Sequence, residues 1–119
     1  MTLMAYERVR TIAESPRATE HRLISEVSRE MMSAWDRGSR GAALMPALHR
    51  NREMWSTFAT TCGAPGNGLP PQVRASIISL ALWVDRHTSA VMTGRETIEP
   101  LLEVNRSLLE GLSPALLAA

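Results

Sequence analysis

Pro71-Gln-Val-Arg-Ala-Ser-Ile-Ile-Ser-Leu-Ala-Leu-Trp-Val-Asp-Arg-His-Thr-Ser-Ala-Val-Met-Thr93 is the most apolar stretch of the chain, and its spacing decides the fold class. Val73, Ile77, Leu80, Val84, His87 and Val91 recur at gaps of four and three, the repeat of a single helical face. Pro71 suits a first turn, where its missing N–H has no intrahelical partner to lose. Gly94 follows as a stop, since glycine adopts the left-handed conformation that closes helices. The spacing predicts a helix over 71–93. At 100° per residue, Ile78 and Leu82 project to the side away from the stripe. A helix apolar on two sides is either buried on both or keeps one for a partner. This stretch is the expected central helix.

Outward from it, the helix breakers fall in clusters at Ser15-Pro16, Gly38 to Gly41 and Gly63 to Pro71. Before the central stretch, Leu44, Leu48, Asn51, Trp55, Phe58 and Cys62 form a seam that predicts a helix over 42–62. Pro46 fits it only within the first turn. Further upstream, Ser15 as N-cap and Pro16 at the first position open a helix expected over 16–36, with Leu23, Ile24, Val27, Met31, Ala34 and Trp35 on one stripe. Downstream, Ile98, Leu101, Leu102, Asn105, Leu108 and Leu109 line a helix over 98–110. Its outer ridge is Glu99, Glu103, Arg106 and Glu110, and Gly111 closes it. Residues 1–14 read as either an arm or a short helix, and 113–119 as a short apolar tail. The expectation is one all-α domain over 1–119, an antiparallel bundle of about four helices. Its core should hold Leu23, Val27, Trp55, Phe58, Ile77, Leu80, Val84, Leu101 and Leu108.

Composition narrows the function. Thirteen basic residues, all Arg, meet twelve acids, so no broad field steers the protein to nucleic acid. The absence of Lys excludes a lysine phosphate loop and Schiff-base chemistry. Cys62 is the single cysteine, which fits a reducing compartment and a buried thiol. No apolar run reaches the roughly 18 residues of a membrane span, and the start of the chain lacks the charged-then-apolar pattern of a secretory signal. These features predict a cytoplasmic protein. His21, His49 and His87 show no metal-ligand spacing. No residue set suggests catalysis, a metal or a cofactor. Arg37, Arg40, Arg50 and Arg52 could touch RNA phosphates. With five aromatic residues in all, three of them in apolar stripes, stacking platforms for single-stranded RNA are scarce.

Three blocks resemble the flagellar biosynthesis regulator FlaF family. The first is Ala5-Tyr6 with Glu14-Ser-Pro-Arg-Ala-Thr-Glu20 and His21-Arg-Leu-Ile-Ser-Glu-Val27. The second is Ala47-Leu-His-Arg-Asn-Arg-Glu-Met-Trp55. The third runs from Leu69-Pro-Pro-Gln-Val-Arg-Ala-Ser-Ile-Ile-Ser-Leu-Ala-Leu-Trp-Val84 into a last helix holding Val104-Asn105. The resemblance implies a non-enzymatic regulator of bacterial flagellum biogenesis that acts with a second small regulator, FlbT, and promotes flagellin synthesis and export.

The resemblance leads to an expected partner, flagellin, bound as an export chaperone or adaptor by helix-in-groove recognition. The alternative is a post-transcriptional regulator acting through FlbT or flagellin mRNA without touching flagellin. Ile78, Leu82 and Trp83 are candidate contact residues. So are Met31 and Met32, because methionine adapts its shape to varied apolar partners. For each of the five, packing within the bundle is an equal explanation.

Overall fold

The computed structural model describes residues 16–111. The Ser15 cap, the segment 1–14 and the tail 113–119 fall outside them. Four α-helices follow one another: α1 (Pro16–Asp36), α2 (Met45–Gly63), α3 (Pro71–Met92) and α4 (Glu99–Gly111). A 3₁₀ turn, Gly41–Leu44, precedes α2. No strand occurs among the described residues. The all-α bundle is as expected, with helix ends displaced by at most a few residues. The largest displacement is at the start of α2. The 3₁₀ turn absorbs residues 41–44, so the α-helix starts afresh at Met45 and Pro46 falls in its first turn.

Pairings along the helices fix their directions. Arg52 on α2 donates to Asp85 and Ser89 on α3, while ten residues later the Cys62 carbonyl accepts from Arg74, so α2 and α3 run antiparallel. The Arg74 bond, at 2.7 Å, also gives a positive partner to a carbonyl at the C-terminal end of α2. Between the two helices, the Asn67 side chain accepts the Leu69 N–H and donates to the Thr61 carbonyl, holding the turn.

α1 and α3 end alike. The Gly38 N–H donates to the Trp35 carbonyl and the Ser39 N–H to the Ala34 carbonyl; Gly94 and Arg95 repeat this with Val91 and Ala90. This is the Schellman arrangement, and both glycines hold positive φ, 84° and 77°. A Cβ at Gly94 would meet nothing within 4 Å, so its cost is conformational alone. Gly94→Ala should therefore lose about 1–2 kcal/mol of stability in equilibrium denaturation. An unchanged midpoint would show that position 94 is not held left-handed.

The central helix is α2, which corrects the expectation for α3. α2 packs against α1 and α3 and reaches α4 through buried side chains, whereas α3 lies mainly on α2 and lightly on α4. Its buried line is Ile77, Ala81, Val84, Thr88 and Val91, which replaces Leu80 by Ala81 and His87 by Thr88. Small side chains at two of those positions let two helix backbones approach. Val73, at the start of the expected stripe, is 42% exposed.

The core is Ile24, Val27, Met31, Leu44, Leu48, Trp55, Val84, Ile98 and Leu101, all nearly inaccessible, with Ile77, Leu108 and other residues around them. Leu23, Phe58 and Leu80, expected inside, are only half-buried against it. Phe58 packs edge-on against Trp55, ring centroids 6.2 Å apart, so it lines the core rather than filling it.

Candidate functional site

The five candidate contact residues separate in space. Met31 is fully buried, so it is core and not contact surface. Met32, one residue and about 100° further round the helix, is 46% exposed. It lines a groove between α1 and α4 with Leu102, flanked by Arg29, Arg106, Glu99 and Glu103. Leu82, on α3, is 60% exposed, the most accessible of the large apolar side chains described as exposed. Ile78, one turn before it, is half-buried and packs on the core with its inner side. Trp83 is half-buried and turns to the other flank. It stacks on His87, centroids 4.7 Å apart, whose Nε2 lies 2.9 Å from the Thr97 carbonyl. That pair ties α3 to the turn before α4.

Among these candidates, Leu82 and Ile78 mark an apolar surface on the outer side of α3. Ala75 and Ser79, also exposed, lie beside it with small side chains. Between Pro71 and Val84 the single charged residue is Arg74. Its guanidinium points back to the Cys62 and Ala64 carbonyls. For three turns, therefore, the outer face of α3 shows no charge, and an apolar helix could lie along it without stranding an ion.

The arginines considered for RNA are largely engaged within the protein. Arg40 lies over the Trp35 ring, 3.3 Å from its centroid, and donates to the Trp35 and Ser39 carbonyls. Arg50 pairs with Glu30, Arg52 binds α3, and Arg37 donates to Ser33. His49 pairs with Glu53 on the surface of α2. No three of His, Cys, Asp and Glu converge as a metal site among the described residues, and no helix there is long and apolar enough to cross a membrane.

A polar cluster lies in the core. Trp55 Nε1–H donates to Asn105 Oδ1 at 2.8 Å; Asn105 Nδ2 donates to Asn51 Oδ1 at 2.8 Å and to Ser28 Oγ at 3.0 Å. Both asparagines and Trp55 are essentially inaccessible. The cluster joins α1, α2 and α4. Asn51 Nδ2 has no hydrogen-bond partner among the described residues.

The family model for the flagellar protein FlaF matches residues 2–112. The chain belongs to the FlaF family. Comparison with curated proteins and with solved structures gave no match. In this FlaF-family protein, two of the blocks that carry the family pattern meet at the buried cluster: Asn51 and Trp55 from one, Asn105 from another. The sequence signal for the cluster was the presence of two asparagines within otherwise apolar seams. A buried amide needs partners, but sequence spacing alone did not pair them.

Proposed function

We propose that this FlaF-family chain is a non-enzymatic cytoplasmic adaptor that binds flagellin through the outer face of α3 and so promotes its synthesis and export. The observation that carries the reading is Leu82, a large apolar side chain left mostly in water at the end of an uncharged stretch of α3 that closes at Asp85 and Arg86. Unassembled flagellin has terminal amphipathic helices without their filament partners, and a second helix laid on α3 would cover their apolar stripes. FlbT enters as the second regulator, engaging the complex rather than replacing flagellin. The internal engagement of Arg40, Arg50 and Arg52 disfavours the alternative of direct action on flagellin mRNA.

Purified flagellin monomer, titrated against the wild-type protein and a Leu82→Gln variant, tests this. Leu82→Gln should keep the thermal midpoint, because the side chain is already solvated, and should weaken capture roughly thirtyfold if it is a central contact. Adding Ile78→Gln should abolish binding while costing modest stability from its buried half. A folded double variant that binds flagellin as tightly as wild type would remove the α3 face. Capture of FlbT alone, with no flagellin binding, would favour the regulator reading.

A further inference from the structure

The outer side of the α1–α4 pair carries two charge patterns of opposite order. On α1, Arg29, Met32 and Asp36 follow one another at gaps of three and four, the repeat of one helical face; on α4, Glu99, Leu102 and Arg106 repeat the same gaps. In chain direction the first is positive, apolar, negative, and the second is negative, apolar, positive. Each triplet spans about two turns, roughly 10.5 Å. The four charged residues are exposed, Met32 is 46% exposed and Leu102 is half-buried. All but Asp36 line the groove between the two helices.

Within one chain the two patterns cannot neutralise each other. α1 and α4 run antiparallel: Glu20 and Leu108 share one small cavity, Asn105 donates to Ser28, and Trp35 and Thr97 share a groove at the far end. That direction puts Arg29 towards Arg106 and Asp36 towards Glu99, like charge beside like. None of these four side chains makes an ion pair among the described residues.

We propose that this face pairs two copies of the chain about a two-fold axis, with α1 of each lying parallel on α4 of the other. The axis reverses α4 of the second copy, and the triplets then match position by position. Arg29 of one copy meets Glu99 of the other, Met32 meets Leu102 and Asp36 meets Arg106, each contact being made twice. Glu103, one turn beyond Glu99, offers Arg29 a second carboxylate. Methionine suits the middle position because its side chain adapts to the surface it meets. Complementarity of this kind selects a partner, and the second copy supplies it in sign, order and spacing. A formal charge of +1 adds little repulsion between copies. None of these residues belongs to α3, so the pairing stands apart from the flagellin reading and its test uses no flagellin.

Sedimentation equilibrium of the full chain over about 1 µM to 1 mM, the span of weak to moderate association, reads the pairing. The wild-type protein should dimerise, and more weakly as salt rises from about 0.05 to 0.5 M, since exposed ion pairs are screened. Asp36→Arg and Arg106→Glu should each weaken self-association by about tenfold or more, because each sets like charges across the axis twice. Mixed in equal amounts, the two variants should dimerise again to within about threefold of wild type, since both contacts between unlike copies then join opposite charges. Both positions are exposed, so the thermal midpoints should stay close to wild type. A wild-type chain that is monomeric throughout would overturn the proposal and leave the groove to a different protein. So would dimers indifferent to salt and to both substitutions, or variants that stay apart when mixed.

Discussion

Trp55→Ala should lower the free energy of unfolding by about 3–5 kcal/mol, the range for losing a large buried aromatic side chain and leaving a cavity. Trp55 is 1% exposed and sits on α2, the helix that reaches all the others. Its removal takes the packing partner from Phe58 and the donor from Asn105 together. Phe58→Ala should cost clearly less, because part of that ring is already in water. Trp55→Phe separates the two losses: it keeps most of the apolar body and strands the Asn105 oxygen, for about 1–3 kcal/mol. Urea or guanidinium denaturation gives all three values. If Phe58→Ala proved costlier than Trp55→Ala, the core would be centred elsewhere than on α2.

Asn105→Leu should cost about 3 kcal/mol even though it adds apolar surface to the core. The substitution leaves the Trp55 N–H and the Asn51 carbonyl oxygen without the partner they now share, and each stranded buried group costs about 1–3 kcal/mol. Part of that loss is offset by the leucine's own burial. The diagnostic measurement is a double-mutant cycle. Asn51→Leu should cost less in the Asn105→Leu background than in wild type, with coupling of about 0.5–3 kcal/mol as for residues in one network. An Asn105→Leu protein as stable as wild type, with no coupling to position 51, would mean that the cluster does not form. The cluster's value is in alignment. Two helices that slide past one another break bonds only 2.8–3.0 Å long, whereas leucines would slide with little loss.

Much of this could be read in the sequence. The helix of Pro71–Met92 follows from four-three spacing between a proline and a glycine, both local signals. Gly38 and Gly94 stop their helices because a left-handed residue is needed there, and glycine reaches that conformation without a Cβ penalty. The chemistry that the composition excludes, above all any use of lysine, needed no coordinates. The resemblance in three spaced blocks pointed to the family that the match over residues 2–112 then established.

Other features belong to the tertiary structure. Periodicity identifies the faces of a helix but not the neighbours that cover them. Met31 and Met32 are the same residue type one position apart, and only the placement of α2 and α4 against α1 puts the first in the core and the second at a groove. The high apolar content of α3 suggested a central helix. Its actual place on one side of α2 follows from which pairs of helices meet, with Ala81 and Thr88 on its buried side, and this leaves Leu82 in water. Asn51 and Asn105 stand 54 positions apart, and no local spacing could join them. Local backbone preferences are settled within a few residues of sequence; burial, and with it the choice between core and binding face, is settled only when distant segments meet.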